Sequence, residues 1–415
     1  MKRIGAYQTY LIMVTASSFF FSVAFTTSAI YRYKMAGLNP LQLVLLGTVL
    51  EGSIFVFEIP TGVVADIYSR RLSVIIGFTL IGFGMLLEGT FQIFFIILTA
   101  QIVWGIGYTF ISGAQDAWLA DEIGEEKLTP TYLRASQLAQ IATLAGIIVN
   151  VSLASIQLNL PFFLAGIGHI GLALFLALFM PETKFDPVQQ TERHTWQKMG
   201  ATFQEGMGVI RQRPLLVTIL GIALVYGLYS EALDRLWEAH LLDTFTLPTI
   251  DSIDTVVWFG IINAAVMIVA IGTTEIVRRR ADKLDHHHMV ILLALFSAAM
   301  SLGLVLFGLA AGFVMALGAY SLVAIMRKTL QPLYSAWVNR GIPSQVRATV
   351  LSTYGQMDAI GQLLGGPAVG AVATQFGLRA AMVMSGLLLA LVLPLYRRAY
   401  SLIPDIIQVK QDQTD

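Results

Sequence analysis

The sequence predicts an all-α integral membrane protein of twelve transmembrane helices, arranged as two six-helix bundles with pseudo-two-fold symmetry. Three observations predict this class. The 415 residues are 56% hydrophobic and only 13% charged, with a mean hydropathy of +0.71, too apolar for a soluble domain. The apolar residues form twelve runs, each near the roughly 20 residues that cross a bilayer. The basic residues between these runs lie mostly on one side.

The apolar runs divide the chain into two sets of six. The first set lies near 7–30, 40–64, 72–89, 92–115, 134–156 and 160–180, and the second near 215–234, 253–276, 288–308, 311–335, 348–373 and 376–396. We therefore expect an N-terminal bundle over 1–180, a cytoplasmic linker over 181–214, a C-terminal bundle over 215–398 and a cytoplasmic tail over 399–415.

Basic residues predict the orientation, because cytoplasmic loops hold most of the Lys and Arg of a membrane protein. The expected outer segments hold only Arg32, Lys34, Arg235 and Arg379. The remaining basic clusters fall in the expected inner segments. We therefore expect a multi-pass protein of the inner (plasma) membrane with both termini in the cytoplasm.

The two halves repeat a pattern of charges. Asp66-x-x-x-Arg70-Arg71 follows the second span, and Glu275-x-x-x-Arg279-Arg280 ends the eighth. Six-span repeats of this kind place two bundles about an axis along the membrane normal, with a cavity between them.

The chain resembles the major facilitator superfamily over essentially all twelve spans, and most closely its bacterial drug/proton antiporters. The segment from Gly62 to Arg71, Gly-Val-Val-Ala-Asp-Ile-Tyr-Ser-Arg-Arg, is similar to the signature between the second and third spans of that family. The resemblance implies that Asp66, Arg70 and Arg71 act at a cytoplasmic gate, with the Glu275 and Arg279 loop as its counterpart. A turn that only sets topology is the alternative.

Two carboxylates are expected near the bilayer centre. Glu51 lies about ten residues, roughly 15 Å, from the outer end of the second span, and Asp358 lies as deep in the eleventh. The resemblance implies that these two spans face each other across the halves. An ionised carboxylate at this depth costs several kcal/mol unless it is paired, hydrated or protonated. We expect Glu51 and Asp358 to couple protons or bind a substrate cation; helix-to-helix hydrogen bonding is the alternative.

Other polar residues inside spans are candidates for ligand contact. The Asn263 amide and the Tyr320 phenol could bind a ligand or join helices. Arg327 is a cation in the tenth span, which requires water, an anionic ligand or a carboxylate such as Asp116 or Glu58. These further candidates are Asn263, Tyr320, Arg327 and Asp116.

Acids near the expected outer end of the seventh span, Glu231 and Asp234, could form an outer vestibule that attracts cations. A solvated helix end is the alternative.

Two positions depart from the family pattern. Gln101, four residues before Gly105, stands where proton-coupled members carry an intramembrane Arg. The Gly-Pro-x-x-Gly element that exporters carry in the fifth span occurs here in the eleventh, at Gly366. Upstream of it, Gly361 and Gly365 predict a close helix approach.

We expect a secondary transporter that works by alternating access and exports small amphipathic or cationic compounds in exchange for protons or another coupling ion. Uptake or exchange of an anionic metabolite or lipid held by Arg327 is the alternative within this class, and a receptor without transport is the alternative outside it. An enzyme is not expected, because the chain has no cysteine, no HExxH and no Walker loop. We expect a monomer in the lipid bilayer with no cofactor, no metal and no nucleic-acid partner.

Overall fold

The computed structural model describes residues 4–185, 213–248, 255–281, 285–341 and 347–411, and every regular element in these ranges is a helix. Most of the predicted linker and the last residues of the predicted tail lie outside the described residues. Before the linker the helices are α1 (Ala6–Phe25), α2 (Ser28–Ile30), α3 (Pro40–Ile67), α4 (Arg70–Thr90), α5 (Phe94–Ile111), α6 (Ala114–Ile123), α7 (Leu128–Ala154) and α8 (Leu160–Phe179). After it they are α9 (Pro214–Thr244), α10 (Thr255–Ala281), α11 (His286–Leu309), α12 (Phe313–Gly341), α13 (Arg347–Phe376), α14 (Leu378–Ala390) and α15 (Val392–Gln411).

In the described part of the chain, eleven helical segments are long and apolar enough to cross a membrane. Three of these segments join two α-helices: α1 with α2, α5 with α6, and α14 with α15. The predicted eleventh span, α13, is a helix of 30 residues but is not among the eleven. Its sequence explains this, because three glutamines, five glycines and Asp358 lower its hydropathy.

Two helices continue well beyond the predicted ends of their spans. The fourth span was expected to end near 115 but continues through α6 to Ile123, and the seventh was expected to end near 234 but α9 continues to Thr244. In both places charged residues suggested the end of a span. The structure instead keeps these residues helical, because several of them pair with side chains of their own unit.

Helix ends follow local sequence signals. Asn39 caps α3 by accepting a hydrogen bond from the Gln42 backbone N–H at 2.9 Å, and Gln42 returns a bond of 3.0 Å to the Asn39 N–H. Ser69 caps α4 in the same way. Asp285 caps α11, and the backbone N–H of His288 holds the pKa of that carboxyl below its ordinary value. Gly113 separates α5 from α6 at a φ of 74°, a conformation that favours glycine.

Residues 4–185 and 255–264 form the first compact unit. In this unit α1 packs against α7 and α8, α4 packs against α5 and α8, and α3 packs against α5. Its apolar core includes Met13, Phe78 and Trp118, each of which is buried.

A charged cluster that the sequence did not predict lies inside the first unit. The Arg32 Nε donates to Glu88 Oε1 at 2.6 Å, and the amide of Gln101 donates to Glu88 Oε2 at 2.7 Å. All three side chains are buried. Arg32, which was expected in an outer segment, lies in a π-helical turn over Tyr31–Met35 that brings it into the unit, and its place on the outer side stays a prediction. Gln101 is a partner of Glu88, which gives this position a structural role in joining the first, third and fourth spans.

Residues 213–248 and 265–411, apart from the gaps named above, form the second unit. Here α9 packs against α13, α14 and α15, and α11 packs against α12, α14 and α15. Glycines bring α9 and α13 together: a Cβ on Gly365 would lie 2.6 Å from the Leu228 Cα, and one on Gly361 would lie 2.9 Å from the Gly227 Cα. The predicted close approach at Gly361 and Gly365 is confirmed, and α9 is the helix that approaches.

Candidate functional site

A cavity of about 230 Å³ lies inside the second unit among α9, α11, α12 and α13. Four phenol side chains and two charged side chains supply most of its polar lining. These residues are Tyr226, Tyr229, Tyr334, Tyr354, Arg327 and Asp358. The cavity thus combines an aromatic wall with one charge of each sign, a composition typical of small-molecule sites.

The tyrosines form a continuous ring cluster. The ring centroids of Tyr334 and Tyr354 are 5.3 Å apart, and those of Tyr226 and Tyr334 are 5.9 Å apart in an edge-to-face arrangement. Tyr229 joins through Tyr226 at 6.1 Å. Since the faces of aromatic rings attract cations, such a wall favours an organic cation.

The hydroxyl of Tyr226 is committed to a directional network. Ser297 donates to the carbonyl oxygen of Leu293 at 2.7 Å, so it can only accept from Tyr226, whose hydroxyl lies 2.7 Å away. The Tyr226 oxygen in turn accepts from the hydroxyl of Tyr396 at 2.9 Å. Tyr226 therefore offers its ring, and no free donor, to a ligand.

Asp358 accepts a hydrogen bond of 2.8 Å from the Gln362 amide, one turn along α13. Within the described ranges no cationic group lies within 4 Å of its carboxylate. The hydroxyls of Tyr229 and Tyr354 also have no hydrogen-bond partner among those residues. The wall of the cavity therefore holds an unpaired acid and two uncommitted hydroxyls, as a ligand-binding site requires.

Arg327 takes its counterion from its own unit. Its Nη2 donates to Asp234 Oδ2 at 2.9 Å, and its Nη1 contacts Asp234 Oδ1, so the pair is bidentate. The guanidinium carbon also lies 5.9 Å from the centroid of the Tyr229 ring. The sequence left open a carboxylate from the other half, Asp116 or Glu58, and the structure supplies Asp234 of α9 instead.

The acids expected at an outer vestibule are not at the end of their helix. Ten residues of α9 follow Asp234, and Glu231 is buried. Glu231 accepts a hydrogen bond of 2.9 Å from Arg235, which was expected in an outer segment but lies within α9. A solvated helix end is therefore excluded for Glu231, and the vestibule role of both acids stays a prediction.

Two polar candidates make contacts that packing alone explains. The amide of Asn263 donates to the Phe259 carbonyl of its own helix at 3.0 Å. Tyr320 is buried and stacks on Trp237, with ring centroids 4.1 Å apart and planes at 10°. Neither residue lines the cavity of the second unit.

Two acidic candidates lie in the first unit. Glu51 is half-buried near the middle of α3. Asp116, at the start of α6, is exposed and accepts a hydrogen bond of 3.4 Å from the Tyr10 hydroxyl. Tyr10 packs edge-to-face with Tyr132 at 5.9 Å, so an acid and two phenols meet on α1, α6 and α7.

The predicted gate residues of the first half bond within their own unit. Arg70 contacts the carboxylate of Asp121, donates to the Ala117 carbonyl at 3.0 Å and lies 3.9 Å from Asp66. The Arg71 backbone N–H donates to Glu182 at 2.9 Å. Gly62, the first residue of this motif, lies in α3 with no atom within 4 Å of the position of an added Cβ. The motif thus connects the last turn of α3 and the first turn of α4 to α6 and to the segment that follows α8.

The corresponding acid of the second half, Glu275, is less exposed than Asp66, at 40% against 56% of the side chain. Glu275 accepts hydrogen bonds from Arg278 at 2.7 and 2.8 Å and from Arg279 at 2.8 Å, all within one turn of α10. Each of these pairs lies on a single helix, so the repeat seen in the sequence becomes two different local networks.

Sequence reasoning missed the tyrosine wall and the partners of the charged residues. Tyr226, Tyr229, Tyr334 and Tyr354 come from three helices, and nothing in their spacing indicates a common cavity. The sequence did contain a signal for the buried pair of Arg32 and Glu88, because Glu88 interrupts a long apolar run, as buried charges do.

The sequence profile of the Major Facilitator Superfamily matches residues 10–366. The chain belongs to the Major Facilitator Superfamily. This superfamily member is 24% identical over 366 residues to an uncharacterized MFS-type transporter, YxaM of Bacillus subtilis (strain 168), with 86% of each chain covered. It is therefore a multi-pass membrane transporter of this superfamily.

Solved structures support the fold of this superfamily member. A nucleoside transporter, NupG, matches with a TM-score of 0.79 at 12% identity, over 95% of this chain and 100% of its own. A bacterial homolog of the human lysosomal transporter Spinster, inward-facing and unoccupied, matches with a TM-score of 0.74 at 15% identity, over 97% of each chain. A POT family transporter in complex with a thioalcohol conjugated peptide matches with a TM-score of 0.75 at 12% identity, over 96% of each chain. The predicted major facilitator fold is confirmed.

Proposed function

We propose that this transporter exports small amphipathic organic cations in exchange for protons, by alternating access. The observation that carries the proposal is the cavity of the second unit, where four tyrosines and Asp358 share the wall and Asp234 neutralises Arg327, the one cation among the described lining residues. A cationic ligand would meet ring faces and an unpaired carboxylate there.

Exchange follows from the chemistry of a single carboxylate. Asp358 can hold a proton or face an organic cation, and each ligand excludes the other by charge. On the cytoplasmic side the substrate displaces the proton from Asp358, and on the other side a proton displaces the substrate, as the two halves alternate. Glu51 in α3 is the second coupling acid of the proposal, on the ground that it is a half-buried carboxylate near the middle of a span.

The gate belongs to the same proposal. Arg70 holds the end of α3 to α6 through Asp66 and Asp121, and Glu275 with Arg279 stands at the corresponding place in the second half. We assign both networks to the cytoplasmic side, with both termini cytoplasmic and the protein a monomer in the plasma membrane.

A second candidate is uptake or exchange of an anionic metabolite or lipid held by Arg327. One observation favours it: Arg327 lines the cavity, and its side chain is 36% exposed. An anion would have to displace Asp234 from both guanidinium nitrogens, so export of cations ranks first.

Transport by purified protein in proteoliposomes tests the proposal. The probe is radiolabelled benzyltrimethylammonium, a quaternary cation that cannot accumulate merely by becoming protonated. Vesicles with an acidic lumen, and with the membrane potential clamped by potassium and valinomycin, are expected to accumulate the probe against its gradient. Nigericin, which collapses the pH gradient, should abolish the accumulation. Accumulation of only an anionic probe such as benzenesulfonate, tested with an acidic lumen for exchange and with an acidic exterior for uptake, would favour the second candidate. Vesicles that accumulate neither probe would refute proton-driven transport of both.

A further inference from the structure

The charges that face the cavity of the second unit have an uneven balance. Of the cavity's charged lining residues, Asp358 contributes one negative charge when ionised, and the positive charge of Arg327 is cancelled by Asp234, which lies beside the guanidinium and is not part of the lining. Glu231 of α9 is also matched, by Arg235. The sign of the field at the cavity therefore depends on whether Arg327 keeps its partner.

The Asp234–Arg327 pair differs from a buried structural ion pair. The side chain of Arg327 is 36% exposed and that of Asp234 is 47% exposed, whereas Arg32 and Glu88 of the first unit are 2% and 4% exposed. Removal of one member of the Asp234–Arg327 pair would therefore not leave the other enclosed by protein on all sides, as it would for Arg32 and Glu88. A pair of this kind can be altered without loss of the fold.

The geometry also makes Asp234 a competitor of anionic ligands for binding to Arg327. Both terminal nitrogens of Arg327 are turned to the two oxygens of Asp234, which occupies the fork that would otherwise grip a carboxylate, phosphate or sulfonate. The guanidinium remains over the Tyr229 ring, 5.9 Å from its centroid, at the edge of the aromatic wall. An anion of the right size would therefore find its site already filled by a side chain.

We infer that Asp234, by masking Arg327, determines the charge selectivity of this transporter, so that the cavity accepts organic cations and rejects organic anions. The inference rests on the proposed function for the identity of the accepted ligand. It adds that the rejected class is anions and that Asp234 is the specificity-determining residue. Masking predicts that removal of the Asp234 charge shifts selectivity toward anions and that removal of the Arg327 charge shifts it toward cations.

Binding of two small probes of opposite permanent charge, benzyltrimethylammonium and benzenesulfonate, to the detergent-purified full chain tests this inference. A unit charge at roughly 6 Å and an effective dielectric near 20 changes affinity about 100-fold, and partial exposure reduces this to about tenfold. Asp234→Asn is expected to weaken cation binding by about tenfold and to create binding of benzenesulfonate. Arg327→Gln is expected to tighten cation binding by a similar factor.

The double variant Asp234→Asn with Arg327→Gln is the matched control. It restores the net charge of the wild-type lining, so its cation affinity should lie within about threefold of wild type. Equal losses of cation binding in both single variants, or no benzenesulfonate binding by Asp234→Asn, would overturn the inference and assign the pair to packing alone.

Failure of the proposed function is distinguishable from failure of this inference. Wild-type protein that binds no cation, together with Asp234→Asn that binds benzenesulfonate, would refute cation export but uphold masking. Melting temperature and elution volume identify the variants that fold. If Asp234→Asn does not fold, Arg327→Gln decides: tighter cation binding upholds the inference, and unchanged or weaker binding overturns it.

Discussion

Asp358→Asn is expected to abolish proton-driven accumulation of benzyltrimethylammonium, with a fall of at least about 100-fold in rate, which corresponds to about 2.7 kcal/mol. The amide keeps the shape of the side chain and the neighbouring Gln362, but it can neither carry a charge nor exchange a proton. Accumulation in proteoliposomes with an acidic lumen measures this effect.

Matched variants separate coupling from folding. Asp358→Glu keeps the carboxylate and should retain measurable exchange, and Glu51→Gln tests the second acid of the proposal. Both amide variants should elute and melt like wild type, because asparagine and glutamine keep the size and shape of the acids that they replace. If Asp358→Asn and Glu51→Gln still accumulate the probe at wild-type rates, the coupling assignment is wrong.

Gly365→Ala is expected to have the largest effect on stability. An added Cβ would overlap the Leu228 carbonyl and lie 2.6 Å from the Leu228 Cα, and a backbone cannot rotate away as a side chain can. Overpacking of this kind costs about 3 kcal/mol, which corresponds to a fall of roughly 6–12 °C in melting temperature. Since α9 and α13 both line the cavity, binding of benzyltrimethylammonium should fall as well.

The same helix offers a control for this prediction. Gly355 also lies in α13, but nothing lies within 4 Å of an added Cβ there. Alanine is the better helix former, so Gly355→Ala should leave the melting temperature unchanged or raise it slightly. Equal melting temperatures for the Gly365→Ala and Gly355→Ala proteins would show that the close approach of α9 to α13 carries no stability.

Much of the fold could be predicted because a bilayer imposes one strong rule, that apolar runs of spanning length become helices. That rule fails where a charged residue is paired with another side chain inside the protein, because the charge then does not mark the end of a helix. At Asp234 the rule ended the seventh helix too early, because a charge that is paired with Arg327 inside the unit cannot be told in the sequence from a charge in water. It likewise did not predict that Arg32 is buried, because the pairing with Glu88 that stabilises a cation there is not visible in the sequence.

The site was predictable only in part. The depth of Asp358 follows from counting residues along a helix, which needs no knowledge of packing. Its surroundings depend on how α9, α11, α12 and α13 meet, so the tyrosine wall and the identity of the partner of Arg327 were not accessible. The close approach at Gly361 and Gly365 was accessible, because small residues spaced by four lie on one helix face.

One measurement tests the central claim, that a single carboxylate holds either a proton or an organic cation. Purified protein in weakly buffered detergent solution is mixed with benzyltrimethylammonium while a pH indicator records proton release, at pH values on both sides of neutrality. The account predicts a pH range in which about one proton is released for each cation bound, and no release from Asp358→Asn. Cation binding without proton release at every pH, or equal release from Asp358→Asn, would contradict it.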